Sequence, residues 1–139
     1  MIFLSRATYA QQTWAVAINS NGVLMCKYYL KQHSDSMKST GIANDTISVA
    51  DAQSIFALNI LNVDREKLLS KLKVKNFQMT IINGDERKDF KCNSEILTTE
   101  MHDALMKVKT GSNLYFQYIT GITEEGYFPS VEFLPFYVK

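Results

Sequence analysis

Two histidines with neighbouring carboxylates come closest to a catalytic or metal-binding pattern. His33 and Asp35 lie two positions apart in a polar stretch, and His102 adjoins Asp103. Metal sites need three or four converging ligands, and neither pair has a cysteine or a third ligand near it in sequence. The chain also lacks a Gly-x-Ser-x-Gly turn or a comparable nucleophile motif. The sequence therefore predicts no catalytic residue, metal or cofactor, and a protein that is not an enzyme.

Three lysines form a second pattern, because Lys71, Lys73 and Lys75 are spaced by two. This spacing places their side chains on one face of a strand. Charge on an exposed edge strand discourages another chain from adding a strand there, which is the simpler interpretation. The alternative is a basic stripe that binds an acidic partner, and on that interpretation all three are partner-binding candidates.

Aromatic residues are concentrated in the last quarter of the chain. Two packed sheets cannot bury both of their faces, so we expect part of these rings to remain exposed. Tyrosine offers contact area together with a hydrogen-bonding hydroxyl, which suits an interaction surface. Tyr115, Tyr118 and Tyr127 are therefore the candidate partner-binding tyrosines.

Three classes of function remain open, and each predicts a different surface. A protein-binding module should carry a flat aromatic patch. A carbohydrate-binding β-sandwich should carry an aromatic-lined groove with asparagine or aspartate at its rim. A small hydrolase assembled from residues distant in sequence should show a pocket in which titratable groups converge.

The two cysteines, Cys26 and Cys92, allow two interpretations. In an exported protein they can form a disulfide that closes a long loop and stabilises the fold. In a reducing compartment they are small core residues, since no Cys-x-x-Cys or Cys/His spacing indicates zinc.

The pattern of residues 1–10 indicates the cellular compartment of the protein. A short apolar run is followed by Ser5, Arg6 and Ala7, and Thr8 and Ala10 precede a cleavage point before Gln11. This pattern is typical of the end of a secretory signal peptide. The alternative is a frayed N-terminal strand. We favour export, to the periplasm or the medium.

Overall composition predicts one globular domain. The chain has 139 residues, of which 46% are hydrophobic, and a formal net charge of +1. This charge gives no reason to expect a nucleic acid as partner. No apolar run approaches the roughly 20 residues that span a bilayer, so the sequence predicts no membrane span.

The first secondary-structure element that the sequence predicts is a β-hairpin in residues 11–30, whose turn is Asn21-Gly22. Residues 31–46 are polar and predict a loop or linker that separates the hairpin from residues 47–139. Between Val74 and Phe77 the apolar positions change parity, which predicts a β-bulge near Lys75 and Asn76.

With a short helix capped by Thr98 and about seven strands, the pattern predicts an all-β, antiparallel sandwich with one or two short helices.

The order of several segments resembles a known family, the C-terminal domain of the gliding-motility protein GldM, over residues 47–139. The segments are Ile55-Phe56-Ala57, the strand from Leu72 to Thr80, Leu97-Thr98-Thr99-Glu100-Met101, the run from Lys109 to Phe116, and Leu134-Pro135-Phe136. The resemblance implies an immunoglobulin-like β-sandwich in the periplasm of gliding bacteria of the Bacteroidetes type. It also implies a non-enzymatic role in protein–protein interaction within the type IX secretion and gliding apparatus, with protein partners in the cell envelope. Self-association into a homo-oligomer stays open.

Overall fold

The computed structural model describes residues 14–33, 36–39, 45–62, 67–68, 73–122 and 128–139. The predicted signal segment 1–10 lies outside them. Within the described residues the chain forms ten strands and two short helices. In order these are β1 (Trp14–Ser20), β2 (Val23–His33), β3 (Ser36–Ser39), β4 (Asp45–Ile47), α1 (Val49–Gln53), β5 (Ile55–Asn62), β6 (Lys67–Leu68), β7 (Lys73–Asn83), β8 (Glu86–Cys92), α2 (Thr99–Leu105), β9 (Asn113–Ile122) and β10 (Phe128–Val138).

The opening hairpin forms because its turn residues accept positive φ angles. Ser20 pairs with Val23, and Asn21 and Gly22 between them have φ of 51° and 88°. Two-residue hairpin turns require this conformation, which asparagine and glycine adopt at low cost. The side-chain oxygen of Asn19 also accepts the Gly22 N–H at 2.9 Å. The predicted hairpin is confirmed.

The strands form two five-stranded sheets, in the orders β3-β2-β1-β5-β6 and β4-β10-β9-β7-β8. β1 pairs antiparallel with β5 along its whole length, so the hairpin shares a sheet with the segment 47–139. β4 pairs with β10 in parallel, which makes the second sheet mixed rather than wholly antiparallel. No hairpin connects these two strands, so no tight turn dictates their relative direction.

One hydrophobic core joins the two sheets. The first sheet contributes Val16, Ile18, Leu58 and Ile60, the second contributes Met79, Leu114, Phe116 and Phe136, and the helices contribute Ala52, Met101 and Leu105. The ring of Phe116 lies 5.9 Å from that of Phe77 and 6.0 Å from that of Phe136, measured between centroids. Such tilted arrangements add to the stabilisation from burial. The all-β sandwich with two short helices is confirmed.

Both helices begin at a residue whose hydroxyl caps the first turn. Ser48 Oγ accepts the Asp51 N–H at 3.1 Å, and Thr98 Oγ1 accepts the Met101 N–H at 3.2 Å. Each bond satisfies a backbone donor that has no partner within the helix. Met101 then points into the core together with Leu105. The predicted cap at Thr98 is confirmed.

The predicted bulge in β7 is also present. Val74 pairs with Gly121 and Asn76 pairs with Thr120, so Lys75 is an extra residue in β7. The extra residue changes the parity of the buried positions, from Val74 to Phe77. This is the local kink that the sequence pattern requires.

The stretch 31–46, for which the sequence predicts a polar loop or linker, contains more strand than expected. β2 continues to His33, and β3 pairs with it from Leu30↔Ser39 to His33↔Ser36. β4 then starts at Asp45. Polar strands at a sheet edge have no apolar alternation along the sequence, which explains why the pattern misses them.

The Cys26–Cys92 disulfide is not formed in the structure. The Cys92 thiol donates a hydrogen bond to the Ile96 carbonyl oxygen, with a Sγ–O distance of 3.1 Å. Cys26 lies on β2 in the first sheet, whereas Cys92 ends β8 at the edge of the second sheet. The two cysteines are therefore unbridged in this structure, and Cys92 is a small buried residue of the core.

Candidate binding surface

The outer face of the second sheet, meaning the face that points away from the core, carries most of the candidate binding residues. Along β9, Leu114 and Phe116 are buried in the core. Tyr115 and Gln117 alternate with them and are half-buried on the opposite face. The period of two in a strand explains this division. The sequence-predicted Tyr115 therefore lies on a broad sheet face instead of in the core.

Strand register brings residues distant in sequence into rows across this face. Tyr115 is flanked by Thr80 on β7 and Pro135 on β10. In the next row, Asn113 is flanked by Ile82 and by Tyr137 in the same way. Tyr137 is 48% exposed. Together the two rows provide an apolar and aromatic area at the β4 side of the sheet.

A chain of hydrogen bonds fixes the neighbouring polar side chains. Gln117 Nε2 donates to Thr80 Oγ1 at 2.9 Å, and Thr80 donates to Asp89 Oδ1 at 2.5 Å. Arg87 Nε donates to the same carboxylate oxygen at 3.4 Å. Thr80 is only 1% exposed although it lies on the outer face. These bonds hold the polar half of the surface in one arrangement before any partner binds.

The electrostatics of Asp89 follow from these contacts. The hydrogen bond from Thr80 is the main cause that holds the pKa of Asp89 below its ordinary value of 3.8, and the charge of Arg87 acts in the same direction. Partial desolvation opposes both effects. A hydrogen bond to the charged form of a carboxylate stabilises that form. Asp89 is therefore a fixed negative charge at neutral pH.

Tyr118 differs from the other tyrosines in its backbone conformation. Its φ is 51°, and it is 60% exposed. In the pairing with β7, Gln117 is opposite Gln78 and Thr120 is opposite Asn76, so Tyr118 and Ile119 together face a single residue. Tyr118 is thus part of a second bulge, next to the one at Lys75. A left-handed conformation costs a residue with a side chain about 1 kcal/mol or more.

A groove of about 370 Å³ opens beside Tyr118. The Tyr118 groove is lined by Asn76, Phe77, Gln78, Lys91, Cys92, Asn93 and Tyr118. Gln78 pairs with Lys91 across β7 and β8, so the groove continues the outer face toward its bulged end. Its polar lining consists of amides, one ammonium group and one phenol.

A second cavity, of about 460 Å³, lies between α2 and the inner side of β8. We call it the charged cleft. One wall carries Glu100, Asp103 and Lys107, which are spaced by three and four residues. The other wall carries Glu86 and Lys88, which lie two residues apart on β8. Among the described residues the only ion pair within 4 Å is Arg87–Asp89, so the charges of the cleft do not pair with one another. His102 does not line it.

The structure places the remaining sequence-predicted residues as follows. Lys73 and Lys75 are exposed on β7, in a part of the strand that pairs with β9 but precedes its pairing with β8 from Phe77 onward. Lys71, Tyr127 and Asp35 lie outside the described residues. Tyr115 and Tyr118 occupy different parts of the same face.

Sequence reasoning missed Tyr137 and the chain from Gln117 to Asp89 as parts of this surface. Tyr137 alternates with the buried Phe136 and Val138, so the period of two was an available signal. The contact of Gln117 with Thr80 depends on pairing between β7 and β9, and a single sequence carries no signal for that register.

No known family model matches the chain, and no characterised protein is similar to it in sequence. Over the part of the chain that the structure describes, no helix has the length and apolar character that crossing a membrane requires. The same residues contain no group of three or more histidine, cysteine, aspartate or glutamate side chains arranged to hold a metal ion.

Proposed function

We propose that the protein is a non-enzymatic binding module that contacts another protein of the cell envelope through the outer face of the second sheet. The observation that carries this proposal is the arrangement of Tyr115, Pro135 and Tyr137 beside a hydrogen-bonded polar row. Tyrosine is favoured at interfaces because a large contact area comes with few rotatable bonds.

The fixed polar row supports the same proposal. Ordering flexible side chains on association costs free energy for each group that is immobilised. Gln117, Thr80 and Asp89 are already held by 2.9 Å and 2.5 Å hydrogen bonds. A partner that docks here therefore meets a preorganised surface, and less of its binding free energy is lost to ordering.

The proposed compartment is the periplasm or the medium, and the proposed partners belong to the gliding and type IX secretion apparatus. This part of the proposal comes from the resemblance of residues 47–139 to the GldM C-terminal domain and from the segment 1–10. A domain of that type would act as a connecting component. Self-association through the same face is an outcome that the experiment below detects.

The test is capture from the envelope fraction of the source organism, with the chain from Gln11 onward as bait and identification by mass spectrometry. The captured protein is then purified, and its dissociation constant is measured for wild type, Tyr137→Ala and Phe56→Ala. Phe56 is the matched control, because it is an aromatic residue on the first sheet and is 39% exposed. We expect Tyr137→Ala to weaken binding about tenfold, the effect of losing an interface anchor, and Phe56→Ala to leave it unchanged.

Two results would overturn the proposal. One is the absence of saturable binding between the purified proteins. The other is equal weakening by Tyr137→Ala and Phe56→Ala, which would place the contact away from the outer face. Circular dichroism of each variant checks that the fold is retained.

A further inference from the structure

The Tyr118 groove carries side chains whose hydrogen-bonding groups are unused. Asn76, Gln78 and Asn93 present three primary amides, and Lys91 presents an ammonium group. None of these four side chains makes a hydrogen bond within the part of the chain that the structure describes. Elsewhere on the same face, Thr80 is hydrogen-bonded to both Gln117 and Asp89. The polar groups of the groove are therefore available to hydrogen-bond a ligand.

The chemistry of these groups selects a class of ligand. A primary amide offers donors and an acceptor side by side, which matches a ligand whose neighbouring hydroxyls also donate and accept. No carboxylate lines the groove, so a cationic ligand finds no counter-charge there. Three amides against one ammonium group favour an uncharged polyhydroxyl compound over an anion.

The ring of Tyr118 supplies the apolar part of such a site. It is 60% exposed, and one face of a sugar ring presents C–H groups that pack against an aromatic face. The volume of about 370 Å³ lies near the lower end of the range for small-molecule sites, about 300–1,000 Å³. This space suits one or two sugar rings.

The backbone of Tyr118 is an independent observation that points to the same place. A tyrosine with φ of 51° is strained, and strained residues persist where the surrounding structure or function holds them. Two adjacent bulges, at Lys75 and at Tyr118, lie at this end of the sheet, and Asn76 and Tyr118 line the groove. A glycine would fill this backbone position at lower cost but would provide no ring.

We propose that the Tyr118 groove binds a neutral saccharide. Tyr118 stacks on the sugar ring, and the amides of Asn76, Gln78 and Asn93 bond its hydroxyls. This inference goes beyond the proposed function, since the groove and the Tyr115–Tyr137 area use different residues and different ligands. The protein can contact an envelope protein with one area and a glycan with the other.

The test is affinity gel electrophoresis of the protein from Gln11 onward in gels that contain laminarin, mannan, arabinoxylan or galactan. We expect at least one of these neutral polysaccharides to retard wild type. Tyr118→Phe keeps the ring and should bind within about threefold of wild type. Tyr118→Gly removes the ring while it relieves the backbone strain, and it should weaken binding at least tenfold without loss of stability. Asn76→Ala should also weaken binding.

Tyr137→Ala serves as the matched control, because it removes an exposed tyrosine of the same face outside the groove. Its retardation should equal that of wild type, although the same variant weakens capture of the envelope protein. Failure of one proposal is thereby distinguishable from failure of the other. The saccharide site is refuted if none of the four polysaccharides retards the protein, or if Tyr118→Gly is retarded as strongly as wild type. Binding only to the acidic polysaccharide alginate, abolished by 0.5 M salt, refutes it equally. At that ionic strength the Debye length is about 4 Å, so loss of binding identifies a contact driven by charge.

Discussion

Thr80 and Asp89 face each other across the β7–β8 pair, and the threonine hydroxyl donates to the carboxylate at 2.5 Å. The same hydroxyl accepts from Gln117 on β9. One buried threonine therefore connects three strands on the outer face of the second sheet. Its side chain determines both the electrostatics of Asp89 and the order of the proposed protein-binding surface.

Replacing Thr80 by valine should raise the pKa of Asp89 toward 3.8, because the largest cause of the depression is the hydrogen bond from Thr80. Arg87→Gln should also raise this pKa, because it removes the positive charge of Arg87. An NMR titration of the Asp89 carboxyl carbon in the three proteins measures both effects. An unchanged pKa in Thr80→Val would contradict the assignment.

The same hydrogen bond makes stability depend on pH in a defined direction. Since the pKa of Asp89 is lower in the folded than in the unfolded protein, its contribution is fully present above the ordinary value of 3.8. It is lost as the pH falls through the folded pKa. Urea unfolding at pH 6 and at pH 2.5 should therefore show a smaller pH-dependent loss of stability in Thr80→Val than in wild type. An identical loss in both proteins would show that Asp89 does not contribute.

The strain at Tyr118 predicts an unusual order of variant stabilities. Tyr118→Gly should be more stable than Tyr118→Ala by about 1 kcal/mol, because only glycine adopts the observed φ of 51° without a steric cost. Both variants lack the ring, so the comparison isolates the backbone. Urea unfolding measures the difference. Greater stability of the alanine variant would mean that the residue is not held in the left-handed region in solution.

The core should depend strongly on Phe116, which packs against Phe77 and Phe136 in the second sheet. Phe116→Ala should lower the free energy of unfolding by about 3–5 kcal/mol, the usual cost of removing a buried ring. Tyr137→Ala, on the exposed side of the same sheet, should cost much less. Thermal or urea unfolding distinguishes the two, and similar losses would contradict the division into inner and outer faces.

The cap at Thr98 provides a smaller, local test. Thr98→Ala removes the acceptor for the Met101 N–H and should cost about 0.5–2 kcal/mol. Thr98→Ser keeps a hydroxyl at this position and should retain most of the stability. If serine and alanine destabilise the protein equally, then the methyl group of Thr98 matters more than its hydrogen bond.

Local features of the fold were predictable from the sequence because their causes lie within a few residues. The turn Asn21–Gly22 needs positive φ angles, and the parity change between Val74 and Phe77 needs an extra residue at Lys75. Each cause is visible in the residue types themselves. The same holds for the cap at Thr98, and for the two-sheet class that follows from many short strands.

The candidate sites were predictable only in part, because they depend on the register between distant strands. Tyr115 and Tyr118 were identified as candidates from residue type alone. Their separation into two areas follows from the second bulge, and nothing in the residue types near Tyr118 signals a left-handed backbone. The parallel pairing of β4 with β10 is equally invisible, since the three residues Asp45, Thr46 and Ile47 are too few to show an apolar alternation.

The position of β10 between β4 and β9 has a consequence for folding. β10 is an interior strand of the second sheet, although it follows all the other described strands in sequence. The backbone of Val138 also bonds Gly111 and Ser112, and Lys139 bonds Ile47. Until β10 docks, β9 therefore exposes an unpaired edge, and the ring of Phe116 lacks its contact with Phe136. Such intermediates are prone to association, so we expect aggregation to compete with folding until β10 is in place.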